Sequence, residues 1–296
     1  MKNYVILTDS CSDLDKSVRE KYNIEYLKMH FSYGGNEYDA DLDWEDVPFK
    51  DFYDVMRGGT RIITSQVNAA QFKNAFEKYV TDGYDVLYIA CSSALSASIK
   101  ASLVAREEVL EKYPTAKIIC IDTLHSCLGL GMLCMTASEL RSGGKTIEEV
   151  ASWVEENKKY VHQEATVEKL TWLKQAGRVS AASAFFGGLL NIKPIIISDV
   201  NGTNLAVEKV KGRKVSYERI AQRIKERIVD CPHQKMAIVH GDCEEDALDL
   251  KQEIEKVLSL DGKIEISVYK LGPCIGASCG PGTLGVYYFG VEKAND

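Results

Sequence analysis

Over residues 1–160 the chain alternates short, continuous apolar runs with longer amphipathic stretches, and this alternation restricts the available folds more than any other feature. Tyr4 to Leu7, Ile24 to Phe31, Val86 to Ala90 and Ile118 to Ile121 read as strands. Ala69 to Tyr79, Ser98 to Lys112 and Leu128 to Arg141 read as helices. A strand that is apolar along its whole length needs cover on both faces, which a parallel sheet flanked by helices supplies. The expectation is an N-terminal α/β domain with a doubly wound, mostly parallel sheet. Thr146, followed by Ile147-Glu148-Glu149, predicts an N-cap with an acidic first turn and a helix running to about Tyr160.

From residue 161 the texture changes. His162 to Val167, Pro194 to Val200, Leu205 to Val210, Lys235 to His240, Ile264 to Lys270 and Leu284 to Gly290 predict six short strands. Two helices, near Tyr217 to Val229 and Glu244 to Leu258, are expected on one face of that sheet. Residues 161–296 therefore read as an α+β domain. Its segment 271–282, rich in glycine and proline, is expected to be a loop contributed to the domain interface, where bare backbone can approach a ligand.

At 296 residues the chain is long enough for two cores, and with 45% hydrophobic and 27% charged residues it has a globular composition. The formal net charge of −7 argues against nucleic acid as a partner. The basic stretch from Lys209 to Arg227 is interrupted by Glu208, Glu218 and Glu226 and reads as a solvated helix face. The first residues turn polar too early for a signal-peptide apolar region, and no apolar run approaches the roughly 18–20 residues of a spanning helix. Nine cysteines without a Cys-x-x-Cys pair fit a reducing cytoplasm. The Asn201-Gly202-Thr203 sequon then reads as turn chemistry.

Three hydroxyl-rich turns stand at strand ends or helix starts: Thr8-Asp9-Ser10, Thr64-Ser65-Gln66 and Ser92-Ser93-Ala94-Leu95-Ser96. In an open α/β sheet the strands' carboxyl ends converge on one crevice, so such turns would gather neutral donors around a small anion on an apolar body. Helix capping is the plainer reading, with Ser65 and Ser93 as N-caps. Capping accounts for one turn more readily than for three together with the glycine-rich segment. Other signatures fail. Gly129-Leu130-Gly131 lies inside a helix pattern and lacks the third glycine of a dinucleotide fingerprint, and Gly144-Lys145-Thr146 lacks the strand and the earlier glycine of a phosphate loop. The five histidines are dispersed, no zinc spacing is present, and Cys274 with Cys279 is the best thiol pair. No cofactor is implied. A nucleophilic serine at a strand end, as in a small-molecule hydrolase, is the alternative, although no Gly-x-Ser-x-Gly elbow surrounds Ser93.

Thr8-Asp9-Ser10, Thr64-Ser65-Gln66, Ser92-Ser93-x-Leu95-Ser96, Asp122-Thr123 with Ser126, Gly129 and Gly131, Leu173 with Gly177-Arg178-Val179-Ser180, Leu190-Asn191-Ile192-Lys193-Pro194, and Gly272-Pro273 through Gly280-Pro281-Gly282 occur in that order. This ordered set resembles the DegV family of bacterial fatty-acid-binding proteins over nearly the whole chain. The resemblance implies a non-enzymatic carrier that holds one long-chain fatty acid, with its tail in an apolar tunnel of the N-terminal domain. It implies presentation to a separate ATP-dependent fatty acid kinase subunit, which forms an acyl phosphate for phospholipid synthesis, with transient membrane contact at most. Carried over by motif, Thr64 and Ser93 are the carboxylate donors, Ser65, Ser92 and Ser96 support the turns, and Arg178, Ser278 and Cys279 lie nearby. The chain departs from the family pattern at Val67 (usually proline), at Ala97-Ser98 (usually Gly-Thr), at Ala176 (often glycine) and at Cys279, where many relatives place histidine.

Overall fold

The structure, a computed structural model, describes residues 3–180, 191–259 and 264–294. The chain divides into two compact units. One comprises residues 1–46 and 63–158, and the other residues 47–62 and 159–296.

In the first unit, β1 (Tyr4–Asp9), β2 (Ile24–Leu27), β6 (Asp85–Ala90) and β7 (Ile118–Asp122) form a parallel sheet in the order β2-β1-β6-β7. Every residue of β1 and β6 is buried, so both faces of the sheet are covered, as continuous apolar strands require. Helices α3 (Ala69–Thr81) and α4 (Ser98–Lys112) pack on one another and on β6 and β7. Helix α5 (Cys127–Ser142) packs on β1, β2 and β6 and on α6 (Ile147–Asn157). Residues Cys127 to Ser138 of α5 are buried around the whole helix circumference, the pattern of an interior helix. Thr146 caps α6 with a complete capping box closed by Glu149.

The apolar run 24–31 is two strands rather than one. After β2 the chain turns at Lys28-Met29, where Met29 N–H donates to Ser10 Oγ (2.9 Å), and β3 (His30–Tyr33) enters a separate three-stranded sheet, β4-β3-β5. Its other members are β4 (Asn36–Asp39) and β5 (Ile63–Ser65), both antiparallel to β3. Short helix α1 (Lys16–Tyr22) precedes β2.

In the second unit all six expected strands form: β8 (Val161–Thr166), β10 (Ile192–Ser198), β11 (Asn204–Lys211), β12 (Met236–His240), β13 (Ile266–Lys270) and β14 (Leu284–Phe289). A two-residue strand β9 (Val179–Ser180) adds a seventh, giving the mixed order β13-β12-β14-β8-β10-β11-β9. The predicted 199–202 turn closes the β10–β11 hairpin, with Asp199 Oδ1 accepting from the backbone N–H groups of Asn201 and Thr203 and Gly202 at φ +76°. Helices α8 (Arg213–Arg227) and α9 (Glu244–Leu258) share a core with one face of the sheet through Ile195, Ile220, Ile238, Leu250 and Val286. The other face carries a smaller cluster, Ala165, Val167, Ile196 and Ala206, closed by Leu173 of α7 (Leu170–Ala176).

Besides β9 and α7, two further elements here were not predicted. Helix α2 (Phe49–Arg57) lies early in the sequence but belongs to this unit, where Phe52, Tyr53 and Met56 are fully buried. Segment 271–282, expected to be an open loop, contains helix α10 (Pro273–Cys279), with proline in its first turn and Gly280 (φ +82°) ending it.

Candidate functional site

In the first unit the carboxyl ends of β1, β6 and β7 are laced together. Asp9, the last residue of β1, is fully buried and accepts from Tyr88 Oη (2.7 Å), Cys11 N–H (2.9 Å) and Cys91 N–H (3.4 Å). Burial pushes its carboxyl up to about 7; the nearby Cys11 adds to the rise and the Tyr88 hydroxyl opposes it. Thr8 Oγ1 donates to the Ile89 carbonyl (2.9 Å), while Ser10 Oγ donates to the Ala40 carbonyl (2.7 Å) and accepts from Met29. The first hydroxyl turn is therefore occupied by its own fold. It sets the crevice rather than lining it, contrary to the expectation that all three turns offer donors to an anion.

The Ser92–Ser96 turn differs. Ser92 is buried; its N–H donates to the His125 carbonyl (2.8 Å) and its Oγ accepts from Ala94 N–H (3.2 Å). Ser93 N–H donates to Asp122 Oδ1 (3.2 Å), and the Ser93 residue is exposed. Ser96 Oγ accepts from Ser98 N–H (3.3 Å) at the start of α4. Ser93 is not the helix cap, so the capping reading fails for it. The same holds for Ser65, because α3 is capped by Asn68, whose side chain accepts from Gln71 N–H within a full capping box.

Thr64 and Ser65 stand on β5 in the small sheet. Thr64 pairs with Phe31 and Ser65 with His30, and directly paired residues share a sheet face. Thr64 is thus on the face of the Phe31, Tyr38 and Tyr33 rings, stacked at centroid separations of 5.4 and 5.1 Å. A hydroxyl beside an aromatic face suits a molecule with a polar head and an apolar body. Ser65 is exposed on the opposite face with His30 and Asp39, whose Nδ1 and Oδ1 are 3.1 Å apart.

In the second unit, α7 packs on α10, which brings the Arg178 segment and the Ser278-Cys279 pair onto neighbouring elements. Arg178 is exposed just past Gly177, the left-handed C-cap of α7, and its guanidinium donates to the Ala176 carbonyl. Ser278 Oγ donates back to the Cys274 carbonyl of its own helix (3.5 Å). Cys279 is half-buried and packs against the apolar cluster of Ala165, Val167 and Leu173. Tyr53 Oη of α2 donates to the Leu271 carbonyl (2.9 Å), anchoring the start of the glycine-rich segment. Among the described residues no two cysteines form a disulfide, and no cluster of His, Cys, Asp and Glu is arranged for a metal ion.

Two residues at the β7 end, Asp122 and His125, hold the Ser92–Ser93 turn. Asp122 holds the N–H groups of both Ser93 and Leu124, and His125 supplies the carbonyl that fixes Ser92. Their signal was present in the Asp122-Thr123 motif, but the partner of a backbone N–H is not visible in a one-dimensional pattern. Leu124 (φ +58°) and Cys127 (φ +54°) hold left-handed backbone in this turn, a cost that persists only where surrounding contacts determine the conformation. His125 directs Nε2 to the Lys158 carbonyl (2.8 Å), which leaves that nitrogen unsuited to act as a base on Ser93.

Of the sequence motifs in the resemblance, only Leu190 falls outside the described residues. Buried Lys193 reaches Glu168 (2.8 Å), and the paired glycines of α5 serve close packing, since a Cβ at Gly131 would meet Leu14 Cδ2 at 2.7 Å. A profile described as "Uncharacterised protein, DegV family" matches residues 3–290. The chain belongs to the DegV family. A DegV domain-containing protein of Clostridium perfringens is 42% identical over 99% of both chains. Among solved structures, a DegV family protein from Thermus thermophilus described as fatty acid binding superposes with a TM-score of 0.85, at 26% identity over 98% of this chain and 100% of that one. DegV of Bacillus subtilis, described as a fatty acid binding protein, superposes with a TM-score of 0.81 at 27% identity, again over 98% and 100%. No described helix is long and apolar enough to cross a membrane.

Proposed function

We propose that this chain is a carrier that binds one long-chain fatty acid, with the acyl tail in the apolar interior of the first unit and the carboxylate at Thr64 and Ser93. The observation that carries the reading is Ser93: a hydroxyl at the carboxyl end of a buried parallel strand, positioned through its backbone by Asp122 and not used as a helix cap. Thr64, on the face of an aromatic stack, supplies a second hydroxyl of the right kind. Solved relatives of the same fold, described as fatty acid binding, support it. Ser65, Ser92 and Ser96 support these turns; Arg178, Ser278 and Cys279 are proposed as ligand-binding residues from the family motif alone.

The energetics divide the work. Burying a methylene is worth about 0.8 kcal/mol, so a tail of about fifteen contributes on the order of 12 kcal/mol before ordering costs. A hydrogen bond to a charged group contributes about 1.5–3 kcal/mol, enough to orient the acid without dominating affinity. In the finer reading the oriented carboxylate is offered, in the cytoplasm, to a separate ATP-dependent kinase that converts it to an acyl phosphate. The carrier itself then needs neither a catalytic base nor a cofactor.

Solvent extraction of the gently purified protein followed by mass spectrometry is expected to release one fatty acid per chain. Ser93→Ala and Thr64→Ala should retain most of the lipid while lowering acyl phosphate formation with an added fatty acid kinase at least tenfold, about 1.4 kcal/mol. An extract without fatty acid would overturn the carrier reading, and if it came together with hydrolysis of activated esters that Ser93→Ala abolishes, it would establish the strand-end serine hydrolase instead.

A further inference from the structure

Asp122 does more than fix a backbone, because it brings a negative charge to the turn that offers Ser93. The residue ends β7, and its Oδ1 accepts from the N–H groups of Ser93 (3.2 Å) and Leu124 (3.1 Å). Among the described residues no hydrogen bond engages Asp122 Oδ2 or Ser93 Oγ, and no cation pairs with the Asp122 carboxylate. Asp122 is half-buried and Ser93 exposed, so a ligand can reach the turn.

The neighbouring charges do not cancel this one. Lys158, just after α6, sends its ammonium to the Asp122 backbone carbonyl (2.8 Å) and pairs with Glu155 (2.6 Å) rather than with the Asp122 side chain. His125, in the same turn, directs Nε2 to the Lys158 carbonyl. On α4, which packs against β7, Arg106 pairs with Glu107. Both of these cations have acids of their own, and Asp122 keeps its negative charge beside Ser93.

A head group bonded to Ser93 Oγ sits on the residue whose N–H meets Asp122, inside the Debye length of about 10 Å at 0.1 M salt. Of two carboxyl groups confined so closely, one holds its proton to higher pH, because a like charge disfavours its ionised form. We propose that Asp122 sets the charge state of the bound acid: its carboxylate makes the head group on Ser93 retain its proton to higher pH than a neutral turn would. The site then favours the protonated acid over its anion. Asp122 Oδ2 is an acceptor for the acid O–H, and Ser93 Oγ a donor for its carbonyl. This inference deepens the carrier reading and rests on it.

The test is carbon-13 NMR of the full-length protein loaded with palmitate labelled at its carboxyl carbon, with the shift followed from about pH 4.5 to about pH 9. The parent is compared with Asp122→Asn, which keeps the Oδ1 acceptor for both N–H groups and removes the charge. The bound acid is expected to titrate about one pH unit higher in the parent, a tenfold difference in proton affinity. Glu111→Gln, near the opposite end of α4, changes the net charge equally and should leave the midpoint where the parent has it. Lys158 and Arg178 are present in all three proteins, so the comparison isolates the Asp122 charge. If Asp122→Asn fails to fold by circular dichroism, Asp122→Ser takes its place. A bound resonance with the same midpoint in the parent and the Asp122 variant, or an equal shift in Glu111→Gln, would overturn this inference and leave the carrier reading standing. Absence of any bound carboxyl resonance would overturn both.

Discussion

Asp9 shows how a residue that looks like part of a binding turn acts on the fold instead. Its carboxyl is fully buried, and its ordinary value near 3.8 rises to about 7 in the folded protein. A folded-state value above the unfolded one means that folding favours the protonated form. This group's contribution is therefore most favourable below about pH 4 and is lost as pH rises through 7, by about 4 kcal/mol in the limit. His162 carries the opposite sign: its depressed value makes folding less favourable as pH falls from 6.5 towards 4. Urea denaturation of Asp9→Asn beside the parent isolates the first effect. Relative to the parent, the variant should gain stability between pH 5 and pH 8, and parallel pH profiles would mean that Asp9 titrates as an ordinary surface acid.

At the scale of elements, the helices of eleven residues or more were legible in the sequence, whereas the shorter α1, α2, α7 and α10 were not. The bounds of α4 and α9 are those the periodicity predicts, and Thr146 caps α6 as expected. Helix α3 starts at Ala69 as predicted, but its cap is Asn68 and not Ser65: both are competent caps, and the extended β5 pairing of Ser65 with His30 takes that serine out of contention. Asn68→Ala is therefore expected to lower stability by about 1 kcal/mol, whereas Ser65→Ala should change it by less than about 0.5 kcal/mol. A chemical denaturation series on the two variants decides the matter, and the reverse order would return the cap to Ser65. The small antiparallel sheet escaped notice for a related reason. Its three strands are three or four residues long, too short for alternation to register.

For the whole molecule, a carrier bound to its lipid is stabilised by mass action, by about 2.7 kcal/mol at a free ligand concentration one hundred times Kd. Protein stripped of lipid by solvent extraction, refolded, and then titrated with palmitate should show Tm rising by about 5 °C or more, with smaller gains for Thr64→Ala. A Tm indifferent to palmitate and to its removal would contradict the carrier reading. The net charge of −7 gives such a protein no general attraction to anionic membrane surfaces, so lipid delivery would rest on specific docking.

The parallel sheet, the six strands of the second sheet, the principal helices and family membership were legible in the amino-acid sequence. Each is written as local periodicity or as an ordered set of short motifs, and both survive in one dimension. Three things required the tertiary structure. Helix α2, from the middle of the first unit's sequence, joins the second unit because Phe52, Tyr53 and Met56 find their burial there. Segment 271–282 contains a helix because Tyr53 Oη and the C-cap at Gly280 anchor it, contacts that glycine and proline content cannot foretell. The division among the hydroxyls was also decided in three dimensions: Thr8 and Ser10 are bonded to carbonyls 81 and 30 residues away, while Ser93 is not a helix cap. Which hydroxyl remains for a ligand depends on partners distant in sequence, and only packing brings those partners together.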